Sequence, residues 1–188
     1  ESPSRAGGRG EQPVACLWLD FFRGIHINVG SGTLIALLNC VFGALTLSLI
    51  YRLIRLKLGL DLLPSRLSLS IIAFSFGFWF YSISVEVLIM PLFFAMLTLS
   101  IILSDRLSLK HFFLLGVGHG LSILFHQIYV LFFLVILAVL IYRRKEMSFG
   151  LPKALGAYFA TGVPLVLIPY LGVAFLVKKF TEFQQLIK

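Results

Sequence analysis

Acidic side chains are scarce: eight Asp and Glu in 188 residues. Charged residues of both signs reach only 13%, about half of what a soluble domain carries, too few for an ordinary water-facing surface. Amphipathic periodicity is missing as well. A soluble helix keeps one face in water and shows it as a 3.6-residue rhythm, whereas the apolar blocks here are apolar all round. Cysteine is limited to Cys16 and Cys40, with no metal-ligand spacing and no expected disulfide between them. Residues 1–13 (ESPSRAGGRGEQP) lack the charged-then-apolar order of a signal peptide and read as loop or disorder. The chain opens on Glu1, and the expectation is a piece of a larger polytopic protein. No fixed-period repeat is visible.

What the sequence has is hydrocarbon. Hydrophobic residues make up 59% of it, gathered into blocks of roughly 15 to 25 residues, the length that suits a bilayer core of about 30 Å. The expected fold is all-α, a polytopic transmembrane helix bundle with about five spans. Residues 1–30 form a polar N-terminal segment, in which Trp18, Phe21 and Phe22 beside Asp20 and Arg23 suggest either an interfacial helix or a loop. The bundle occupies 31–177, with spans near 31–53, 67–83, 87–104, 111–125, 128–142 and 154–177, and 178–188 is a tail. Block 111–142 is too long for one upright helix, at ~48 Å for about 32 residues, and is either a tilted span or a hairpin of two short ones meeting near His126 and Gln127. Pro164 and Pro169 interrupt the last block, where they are expected to kink a membrane helix.

The net charge of +8 raises nucleic acid as a partner, but the basic residues sit in short loops without an aromatic-interleaved face, so nucleic acid is not expected. They read instead as topological control and attraction to lipid headgroups. Arg52, Arg55, Lys57 and Arg66 follow the first span, Arg106 and Lys110 follow the third, and Arg143, Arg144, Lys145 and Lys153 follow residue 142. The turns at Glu86 and at His126–Gln127 carry no positive charge. This alternation favours the hairpin. It places the basic loops in the cytoplasm, with the N-terminal region, Glu86 and His126 on the opposite side.

Few polar groups remain to do chemistry. Glu86 stands in a membrane turn without a basic neighbour, so it is either a functional carboxylate or a solvated one at headgroup level. His119 and His126 are seven apart and share a face if their helix is continuous. Each is a candidate base, ligand or phosphate partner, or else packing polarity. Two histidines do not make a metal site. No cofactor is evident, and a divalent metal is compatible but not indicated. Asp20 is a candidate general base or a surface charge beside Arg23. Trp79 and Tyr81 end the second span and mark an interface. Gly116 and Gly120 form a Gly-x-x-x-Gly spacing that lets helices approach closely.

Three stretches, NCVFGALTLSLIYRLIRL, FSFGFWFYSISVEVLIMPLFFAML and GVGHGLSILFHQIYVLFFL, together resemble the GT-C superfamily of polytopic membrane glycosyltransferases, in its bacterial protein-mannosyltransferase-like branch. There a helix ending in aromatic-Trp is followed within a few residues by a Glu-Val pair, here Phe78-Trp79 and Glu86-Val87. The resemblance spans roughly 30–142. It implies an enzyme of the bacterial inner membrane that moves a sugar from a polyprenyl-phosphate carrier to a lipid, glycan or protein acceptor at the exoplasmic face. Glu86, His126 and Asp20 are then the catalytic candidates, and Gln127, His119, Trp79 and Tyr81 the substrate-binding ones. The family's acidic loop after a first membrane helix has no counterpart here, so only Glu86 maps onto a recurrent position. A transporter fragment and a non-catalytic polytopic membrane protein remain the alternatives.

Overall fold

The computed structural model describes residues 31–84, 88–105, 107–147 and 149–177. Asp20, Glu86 and Arg106 lie outside the described residues. Within them the chain is all-helical, without a strand. In order come α1 (Ser31–Leu56), α2 (Leu62–Ala73), α3 (Phe76–Ile83), α4 (Ile89–Ile102), α5 (Leu109–Phe125), a 3-10 turn (Gln127–Leu131), α6 (Phe132–Tyr142), a second 3-10 turn (Arg144–Glu146) and α7 (Leu151–Val177).

Among the described residues two stretches are long and apolar enough to cross a membrane, Gly32–Leu56 in α1 and Leu151–Gly172 in α7. α2 and α3, bent by 60° at their junction, make a third if counted as one span. α4 and α5, with 14 and 17 residues, reach only about 21 and 26 Å, short of a core of about 30 Å. Helix length among the described residues therefore carries two or three crossings.

Polarity is turned inward. Asn39, Thr46, Ser65, Thr98, His119 and Ser122 are buried, while Phe74 and Phe76 are 84% and 75% exposed. Leu37, Val41 and Leu45, spaced four apart on α1, form an exposed stripe. Water penalises that pattern and hydrocarbon tolerates it. Two of these buried groups hold helices together: Asn39 donates to the Ser84 carbonyl at 2.8 Å and Ser122 to the Pro91 carbonyl at 3.1 Å; the half-buried Thr161 adds a bond to the Phe113 carbonyl at 2.9 Å.

α5 lies at the centre, against α4 on one side and α7 on the other. Two of its glycines divide the work. A Cβ on Gly116 would run into the Tyr158 carbonyl and the Thr161 hydroxyl of α7, and one on Gly162 would lie 3.1 Å from the Gly116 carbonyl. A Cβ on Gly118 would lie 2.7 Å from Thr98 Oγ1 of α4. α7 continues as one helix through Pro164 and Pro169.

The block 111–142 is not one helix. His126 is extended (φ −154°, ψ 113°), and the chain turns back there. Ile136 and Leu140 of α6 pack in one cluster with Phe112 and Leu115 near the start of α5, and Arg143 donates to the Ile102 carbonyl at 2.6 Å. At that same end α1 runs on to Leu56, three residues beyond the expected span, with Arg55 in its last turn, where a cation suits the carbonyl end of a helix. Lys57 and Leu58 both donate to the Leu53 carbonyl, and Gly59 follows at positive φ.

Two expectations follow. Gly116→Ala should destabilise the bundle by about 1–3 kcal/mol, because helix backbone cannot yield cheaply, while Gly156→Ala, with open space around it, should not. Thermal unfolding in detergent separates them. Lys57 Nζ also meets Asp105 Oδ1 at 2.5 Å, and that hydrogen bond and charge hold the exposed Asp105 carboxyl below its ordinary value. A depressed carboxylate favours the folded state when ionised. Its small, salt-screened contribution is present above the ordinary carboxylate range and lost as pH falls through the lowered value. Melting profiles from about pH 5 to 2 should show this acid loss, and Asp105→Asn should lack it.

Candidate functional site

Two helix breaks face one cavity. The first is the elbow between α2 and α3. Ser75 caps α3 there, accepting from the Phe78 amide at 3.4 Å while its hydroxyl donates to the Ile72 carbonyl at 2.7 Å. The second is the reversal at His126, whose Nδ1 accepts from the Ile128 amide at 3.4 Å. Each break is thus stabilised by its own polar side chain. Between them lies a cavity of about 530 Å³, its walls mostly apolar, with Ser75, Tyr81, His126 and Tyr129 as its polar lining.

With Nδ1 accepting, His126 carries its proton on Nε2, and that nitrogen has no partner among the described residues. His126 is half-buried, with Tyr129 edge-on to its ring at 6.3 Å. An imidazole N–H and a phenol lining an apolar cavity can bind a hydroxylated or anionic group. Leu88, two residues after Glu86 in sequence, also lines this cavity.

His119 is placed elsewhere. The break at His126 removes the shared helical face, and His119 is buried between α5 and α7. Its Nδ1 pairs with the Tyr158 hydroxyl, and its Nε2 donates to the Tyr129 carbonyl at 2.8 Å. Both nitrogens are occupied, so His119 fixes the 3-10 turn against α7 and thereby holds Tyr129 at the cavity wall. A separate apolar cavity of about 330 Å³ borders it on the α7 side.

Of the expected site residues, His126 and Tyr81 come together at one cavity. Gln127 is exposed and donates to the Tyr170 hydroxyl at 3.0 Å. Trp79 is 53% exposed and does not line the cavity. Glu86 and Asp20 lie outside the described residues. The sequence reading passed over Ser75, Tyr129 and Tyr158. Tyr158 was open to discovery, since a tyrosine inside an apolar block needs a hydroxyl partner, but which partner it finds is a tertiary matter. Among the described residues no three His, Cys, Asp or Glu side chains converge.

The His119 network yields a graded expectation. Tyr158→Phe removes one bond and should cost about 1 kcal/mol. His119→Ala leaves the Tyr158 hydroxyl and the Tyr129 carbonyl short of a partner and should cost more, about 2–3 kcal/mol. Thermal unfolding in detergent measures both. No family model matches this chain, and no curated protein or solved structure matches it either.

Proposed function

We propose that this chain is part of a polytopic membrane glycosyltransferase that moves a sugar from a polyprenyl-phosphate carrier to a lipid, glycan or protein acceptor. The observation that carries the reading is the cavity between the α2–α3 elbow and the His126 break. Hydrocarbon does not tolerate exposed irregular backbone, so helix breaks at membrane depth belong where they line a cavity. A mostly apolar hollow with a few convergent polar groups suits a substrate with a greasy carrier and a polar head. The resemblance to GT-C enzymes supplies the reaction.

In this reading the helices cross the bilayer about five times, in a bacterial inner membrane. The basic end of the bundle, at Lys57, Asp105 and Arg143, faces the cytoplasm, and the cavity opens on the exoplasmic side. His126 contacts the sugar or the departing phosphate, its Nε2 proton meeting developing negative charge. Tyr81 positions the sugar. Glu86 is proposed on the resemblance as the group that orients the acceptor or takes its proton, and Asp20 as a further carboxylate on that side. His119 acts at one remove, by positioning Tyr129.

The bent α2–α3 pair also favours a second reading. Broken helices around a midplane site are a transporter feature. One experiment separates the two. The chain, or the full protein that contains it, is reconstituted with a polyprenyl-phosphate-linked sugar. Transfer is expected to fall about 100-fold or more in Glu86→Gln and about tenfold in His126→Ala. Undiminished transfer in both variants removes this cavity from the mechanism, and solute flux without any sugar transfer selects the transporter.

A further inference from the structure

The basic end of the bundle holds a different kind of hollow. It measures about 230 Å³ and lies between the last turns of α1 and α4, bordered by Arg52, Leu53, Leu56, Lys57, Ser100 and Ser104. That is room enough for one phosphodiester group. Arg52 and Leu56 are four apart on α1 and so stand one turn apart, while Ser100 lies in the last turn of α4 and Ser104 just beyond its end. Unlike the two cavities at the other helix ends, its walls are more polar than apolar.

The neighbouring cations are already engaged. Arg55 donates to the Leu60 carbonyl at 2.6 Å, Arg143 to the Ile102 carbonyl at 2.6 Å, and Lys57 is shared with Asp105. Two helix C-termini meet here, and their carbonyls would repel an anion if bare. Several of them are engaged: Arg143 bonds the Ile102 carbonyl, the Leu103 and Ser104 amides bond those of Leu99 and Ile101, and the Lys57 and Leu58 amides bond that of Leu53. What is left is the Arg52 guanidinium and the hydroxyls of Ser100 and Ser104, none with a partner among the described residues. With Lys57 set against Asp105, Arg52 leaves the hollow with one net positive charge. A planar fork of N–H donors beside two hydroxyl donors is the recognition set for a phosphate.

The rim indicates which phosphate. Leu56, which borders the hollow, is 68% exposed, so apolar surface adjoins the charged pocket. An anion with a greasy tail covers both, and a free anion covers only one. We propose that this pocket seats the phosphate of an anionic phospholipid. Arg52 grips the phosphate oxygens, Ser100 and Ser104 donate to them, and an acyl chain lies along Leu56. The proposal rests on the membrane reading and is independent of any sugar transfer.

Native mass spectrometry of the full chain in non-ionic detergent tests it, with phosphatidylglycerol and phosphatidylcholine as probes. Phosphatidylglycerol should be retained preferentially. Arg52→Gln should lower its retention about tenfold, and Ser100→Ala with Ser104→Ala should lower it several-fold. Lys110→Gln and Lys153→Gln, which alter exposed lysines outside the pocket, should leave it unchanged. A melting profile checks that each variant is folded, and the serine double variant carries the test if Arg52→Gln is not. Retention that survives both pocket changes overturns the site. Equal losses in the lysine variants overturn it in favour of diffuse attraction, and displacement by inorganic phosphate overturns it in favour of a free anion.

Discussion

α5 and α7 meet backbone to backbone at Gly116 and Gly162, and the position of most functional groups depends on that approach. At this distance Tyr158 lies beneath α5, stacked on both His119 and Phe133, and its hydroxyl meets His119. The far nitrogen of His119 then holds the Tyr129 carbonyl, which anchors the 3-10 turn after His126. A side chain at Gly116 would push α7 away and loosen each of these links in turn. The geometry of the candidate cavity is thus set by a glycine ten residues from His126.

The surroundings explain why such links matter. Large apolar side chains face outward, and the hydroxyls, amide and imidazole that a soluble protein would show to water are turned in. Apolar attraction between helices is weak in lipid, so close packing and interhelical hydrogen bonds take its place. In a bilayer, where water is scarce, a broken helix is costly unless its loose ends are met. Ser75 and His126 meet them at the two breaks, and both line the same cavity.

The two ends of the bundle are chemically unlike. One carries the helix breaks and the larger apolar cavities. The other gathers Arg52, Arg55, Lys57, Asp105 and Arg143 around helix C-termini, where several cations are spent on carbonyls or on Asp105. This asymmetry is what a bilayer with anionic headgroups on its basic side would orient.

Composition was enough to determine the all-helical class and the apolar character of the segments, because hydropathy and helix length are properties each residue contributes locally. The elbow at 73–76 was hidden: AFSF contains neither Pro nor Gly, and residues 67–83 read as one span. The reversal at His126 was raised by the length of block 111–142 and favoured over a tilted helix by the charges of the loops on either side. Seven-residue spacing suggested that His119 and His126 share a face, which holds only while the helix continues. Tertiary structure alone decided that Tyr158, 39 residues away, would occupy His119, and that Tyr81 would come to His126. Such pairings depend on what stands opposite a residue once helices have packed, and one-dimensional spacing does not encode that.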